Sequence, residues 1–71
     1  MNELLSRITI DPEICHGKPA IRHSRYPVES MLECLAAGDT FEDLLAEFPD
    51  LDRDDLRACL AFATQSLKLK T

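Results

Sequence analysis

Thr40-Phe41-Glu42-Asp43-Leu44-Leu45-Ala46-Glu47-Phe48-Pro49-Asp50-Leu51-Asp52 decides how this chain folds. Thr40 can cap a helix, with Asp43 three residues on, and Phe41, Leu44, Leu45 and Phe48 fall at i, i+3, i+4 and i+7 on one apolar face. Pro49 stops that helix, and Asp52 is a fresh N-cap only three residues later. A short helix, a tight turn and a second start follow one another too closely for anything except two packed neighbours.

Toward the C-terminus, Asp54 and Asp55 fall in the first turn of a third helix, where carboxylates oppose the positive end of its dipole. Leu56, Cys59, Leu60, Ala63 and Leu67 are expected to form its buried stripe. Arg53, Arg57, Ala61, Thr64 and Lys68 line another side. Toward the N-terminus, Val28, Met31, Leu32, Leu35 and Ala36 predict a first helix, with Pro27 suited to its first turn and Gly38 to its C-cap. Before it, Arg7-Ile8-Thr9-Ile10 alternates and runs into Asp11-Pro12, and Ala20-Ile21-Arg22 follows Gly17-Lys18-Pro19. Two short antiparallel strands are predicted, joined by a long loop. The expected fold is mainly α: a single domain over 1–71, with a two-stranded β-hairpin segment (7–26) followed by a three-helix helix-turn-helix bundle (27–68).

With 71 residues and no Trp, the core must be thin, so a homodimer is the expected state. Three cysteines without a CxxC pair argue against a disulfide framework. The chain begins without the apolar run of a signal peptide and has no stretch long enough for a membrane span, so a cytoplasmic protein without membrane contact is expected. Net charge is −5, unevenly spread: residues 1–29 are neutral, whereas residues 39–57 carry eight acids and two bases.

A helix-turn-helix places its last helix in a DNA major groove, and Arg53 and Arg57 occupy the first two turns of that helix. Lys18, Arg22 and Arg25 form the best anion-binding stretch, free of acids from residue 18 to 25. These five cations are the candidate nucleic-acid contacts. Asp50, Asp52, Asp54 and Asp55 oppose this reading, since an acidic helix start repels phosphate. A solvated, well-capped helix start is the simpler account of the same residues, and the hairpin could equally be a structural connector whose arginines bridge acids of the second helix or of a neighbour.

Cys15, His16 and His23 are of metal-ligating types, but a fourth ligand is not evident, and Cys59 reads as a small core hydrophobe. Nucleophilic catalysis by Cys15 with a histidine is disfavoured because neighbours on an extended segment point to opposite faces. No catalytic residue, metal or cofactor is expected.

Several runs together resemble the prokaryotic domain of unknown function 433 over residues 7–63. They are Arg7 to Arg22, Ser24-Arg25-Tyr26-Pro27-Val28, Leu35-Ala36-Ala37-Gly38, Phe48-Pro49-Asp50-Leu51, and Asp55 to Ala63. Family members usually carry Gly at the position of His16 and Gly-Thr or Gly-Ser at His23-Ser24. The resemblance implies a homeodomain-like helix-turn-helix and a VapB-like antitoxin, with operator DNA and a PIN-like ribonuclease toxin as partners. On that expectation the chain is a DNA-binding autoregulator, and Asp50, Asp54 and Asp55 belong to an acidic surface that meets cations of the toxin. The alternative is a protein-interaction module that uses the helices only as a scaffold.

Overall fold

The computed structural model describes residues 3–22 and 24–68. A 3-10 turn over Glu3–Arg7 leads into strand β1 (Ile8–Ile10), which pairs antiparallel with β2 (Pro19–Ile21). Ile8 lies opposite Ile21, Thr9 opposite Ala20, and Ile10 opposite Pro19. Helices α1 (Val28–Ala36), α2 (Phe41–Glu47) and α3 (Arg53–Lys68) follow, so the expected class, a hairpin before three helices, is the one observed.

Local chemistry sets the helix ends. Thr40 Oγ1 accepts from the Asp43 N–H at 3.1 Å while Asp43 Oδ2 accepts from the Thr40 N–H at 2.9 Å, a reciprocal capping box. Asp52 and Asp55 repeat the device at α3, at 2.9 and 3.0 Å. Pro27 is the N-cap of α1 rather than part of its first turn. Gly38 takes φ +109°, the left-handed exit expected of a C-terminal glycine.

The core joins Ile21 of β2, Val28 and Met31 of α1, Leu44 of α2, Leu51 of the turn, and Leu56 and Cys59 of α3. One expectation fails here. Leu60 and Leu67 are 43% and 68% exposed, and the buried side of α3 runs instead through Asp55, Leu56, Ala58 and Cys59 to half-buried Phe62. The 3-10 turn packs along α3, and two arginines draw Asp55 inward, so the helix is rotated away from its Leu60–Leu67 edge. That turn, unread in the sequence, supplies the lid over this part of the helix.

The loop between the strands is also tighter than an extended connection. Asp11 Oδ1 accepts from the Glu13 N–H at 2.9 Å, and Cys15, His16 and Gly17 all have positive φ (53°, 56° and 81°). The extended geometry expected at Cys15-His16 is therefore a left-handed turn.

Candidate functional site

The buried polar centre of the molecule is Asp55, with no exposed surface. Its Oδ1 accepts from Arg22 Nε at 2.9 Å and Arg7 Nη1 at 3.0 Å, and its Oδ2 accepts from Arg22 Nη2 at 2.7 Å and the Asp52 N–H at 3.0 Å. Four donors saturate the carboxylate, which is the condition for burying such a charge without a large penalty. Arg22 reaches this position from a residue at φ +46°, one step past β2, with its own N–H bonded to the Arg7 carbonyl at 2.7 Å. Hydrogen bonding to Asp55 raises the pKa of both guanidinium groups, so both stay charged.

Around this centre sits an acidic rim. Arg22 Nη2 also donates to the Asp50 carbonyl at 2.9 Å, and the Tyr26 hydroxyl donates to Asp50 Oδ2 at 3.3 Å. Loss of water, then the Asp50 charge, pushes the Tyr26 phenol up. Asp52 accepts from Arg7 at 3.0 Å and Asp54 lies 3.9 Å from the same guanidinium. Asp55 thus leaves the surface set to which the sequence assigned it, whereas Asp50 and Asp52 are exposed and Asp54 is half-buried.

The five cations read as nucleic-acid contacts are mostly engaged within the chain. Lys18 pairs with Glu29 at 3.2 Å, Arg22 with Asp55, Arg53 with Glu42, and Arg57 with Asp54 at 3.1 Å. Arg25 alone of the five makes no ion pair among the described residues, and it borders a cleft of about 460 Å3 with Glu13, Ile14, Cys15 and His16. Cys15 Sγ lies 3.9 Å from the Ser24 carbonyl. Among the described residues no three His, Cys, Asp or Glu side chains gather as a metal site, and His23, the third member of the proposed ligand set, lies outside those residues.

Arg7 and Tyr26 belong to this arrangement and were not read as site residues in the sequence, where Asp52 was read as an N-cap and as a carboxylate opposing phosphate. A signal existed for the acids: Asp52-Arg53-Asp54-Asp55 has capping-box spacing, and Asp55 stands four residues before Cys59, on the same inward side of the helix.

The family model described as "Protein of unknown function (DUF433)" matches residues 8–63. "Uncharacterized protein y4eO" of Sinorhizobium fredii (strain NBRC 101917 / NGR234) is 34% identical over 56 residues. The match takes in 79% of this chain but spans only 25% of that relative's length. Among solved structures, a crystal structure of a DUF433 member from Anabaena variabilis superposes with a TM-score of 0.81 at 32% identity, covering 89% of this chain and 62% of that one. The hub, the caps and the hairpin all lie within the matched residues, apart from Arg7 at its edge.

Proposed function

This chain belongs to the DUF433 family, and from that premise we propose that it is a cytoplasmic binding protein that presents its acidic face to a cationic protein partner. The observation that carries this is the internal pairing of four of the five candidate DNA cations, which leaves the carboxylates in excess on the surface. Asp39, Glu47 and Asp50 are exposed and make no ion pair among the described residues. A PIN-like ribonuclease, whose RNA channel must be basic, has the complementary chemistry, and covering that channel would be the antitoxin act.

A second reading adds DNA. Arg53 and Arg57 stand in the first two turns of α3 with side chains 59% and 61% exposed. Exposed ion pairs of this kind contribute little, about 0–1 kcal/mol, so a phosphate could displace Glu42 or Asp54 from them.

The experiment is a titration of the full chain against a PIN-like ribonuclease encoded beside it and against its upstream DNA, each at low and physiological salt. Ribonuclease binding that weakens with salt and with Asp50→Asn plus Asp54→Asn supports the acidic-face reading; binding indifferent to both removes it. Sequence-specific DNA binding that is lost in Arg53→Ala and Arg57→Ala supports the second reading.

A further inference from the structure

We propose that the outer side of α3 from Leu60 to Leu67 is a pairing surface for a second copy of this chain, with the two helices antiparallel. It does not depend on what else the protein binds. Among the described residues Leu60 and Leu67 are two of the three large hydrophobic residues left exposed, and Ala63 stands between them at spacings of three and four. With buried Leu56 the series runs 4-3-4, the period of a helix-to-helix seam, of which the fold buries Leu56, half-buries Ala63 and leaves both later leucines exposed.

Beside the seam lies an apolar hollow of about 350 Å3, lined by Pro19, Val28, Leu32, Phe62, Ala63 and Leu67, with Glu29 at its rim held by Lys18. Projecting leucines and a hollow on one patch are what a twofold interface requires, because each copy must offer both parts to the other.

Charge selects the occupant. Residues 58–67 contain no acid or base, in a chain that is 30% charged and carries −5 overall. A basic protein finds no carboxylate there and a nucleic acid finds no cation. Two identical acidic chains, however, can meet along this window without opposing like charges. Charge also selects the direction. In a parallel pair Arg53, three residues before Leu56 on the same series, would stand beside Arg53 of the partner. With a twofold axis between Ala63 and Thr64, Leu60 meets the partner's Leu67, and the two Arg53 residues stand about 32 Å apart along the helix axis at 1.5 Å per residue. That distance exceeds the screening length of roughly 8 Å at physiological salt.

The strands offer a weaker alternative. The outer edge of β2 is already occupied, since the Ile21 N–H donates to the Tyr26 carbonyl at 3.1 Å and Ala20 bridges to Pro27. Only β1, three residues long with Ile10 exposed, is left to pair with another chain.

Analytical ultracentrifugation of the full chain over a wide concentration range tests this. A dimer is expected that Leu60→Glu plus Leu67→Glu weakens at least tenfold with the helical circular dichroism unchanged, while Ile10→Glu leaves it intact. Mixing a Leu60→Cys chain with a Leu67→Cys chain under mild oxidation should give far more disulfide-linked dimer than either alone. A monomer at every concentration overturns the proposal, as does a dimer indifferent to the α3 pair but lost with Ile10→Glu. Efficient cross-linking of the Leu60→Cys chain to itself overturns the antiparallel direction.

Discussion

Arg22 and Asp55, 33 residues apart, meet in a two-point fork: Nε to Oδ1 at 2.9 Å and Nη2 to Oδ2 at 2.7 Å. Only a guanidinium matches a carboxylate in this way, and it does so here with the carboxylate fully enclosed and the guanidinium still half in water. The pair fastens the end of the hairpin to the start of α3. Because Arg22 is occupied, the acid-free stretch from residue 18 to 25 is less able to attract phosphate than its composition suggests.

Removing the acid should therefore be worse than removing either base. Asp55→Ala leaves Arg7 and Arg22 facing each other and frees the Asp52 N–H, at a cost of about 3 kcal/mol or more. For a domain of this size that approaches the whole stability. Urea unfolding should show it, with Arg22→Ala milder because Arg7 still holds Asp55. A loss below about 1 kcal/mol for Asp55→Ala would mean that the charge is not structural.

Acid should destabilise the fold over a narrow range. The Asp55 N–H, and after it the Arg7 guanidinium, hold Asp52 below its ordinary value of 3.8, against partial loss of water. Glu42 is likewise lowered, first by its own backbone N–H and then by Arg53. A depressed folded-state pKa means that the unfolded chain binds protons first as pH falls. The contribution is thus complete above the ordinary carboxylate range and vanishes as pH drops through the lowered folded values of Asp52 and Glu42. Thermal melts from pH 7 to 2 should be flat and then fall, and Asp52→Asn should make the fall shallower.

His16→Gly should stabilise the protein. His16 sits at φ 56°, ψ 33°, between Cys15 and Gly17, which are also left-handed. Relief of this strain, partly offset by the greater freedom of glycine when unfolded, leaves a gain of up to about 1 kcal/mol. Urea midpoints of the two proteins compare directly, and an equal or lower midpoint for the variant would show that the His16 side chain contributes something that the turn needs.

Cys59 should report unfolding. Burial, and after it the Asp55 charge, pushes its thiol up to about 11. Iodoacetamide at pH 8 should leave Cys59 unmodified in the native protein and label it once urea opens the core, as read by peptide mass spectrometry. Prompt labelling of the native protein would show that α3 separates from the core far more easily than its packing implies.

The features that sequence made legible are those decided within a few residues. Thr40 with Asp43, Asp52 with Asp55, and the Gly38 exit are local geometry, and each stands where its pattern puts it. Short strands at Ile8–Ile10 and Pro19–Ile21 follow the alternation of branched residues and the turn signals between them. What could not be read is what distant residues do to one another. Asp55 is a normal first-turn acid until Arg7, 48 residues away, and Arg22 claim it. The same pull explains the misplaced face of α3, where Leu60 and Leu67 fit the apolar period as well as Cys59 does but only Cys59 lies on the side that Asp55 turns inward. The candidate site was half visible: Arg22 and Asp55 were both singled out but assigned to different surfaces, and Arg7 was read only as the start of a strand.

The hub also dictates an order of events. Arg7 and Arg22 precede Asp55 by 48 and 33 residues. Until the start of α3 exists, the two arginines repel each other and the three-residue strands have nothing to hold them together. The hairpin therefore cannot mature ahead of the start of α3, and its backbone amides should exchange with solvent in concert with those of α3 rather than more slowly on their own.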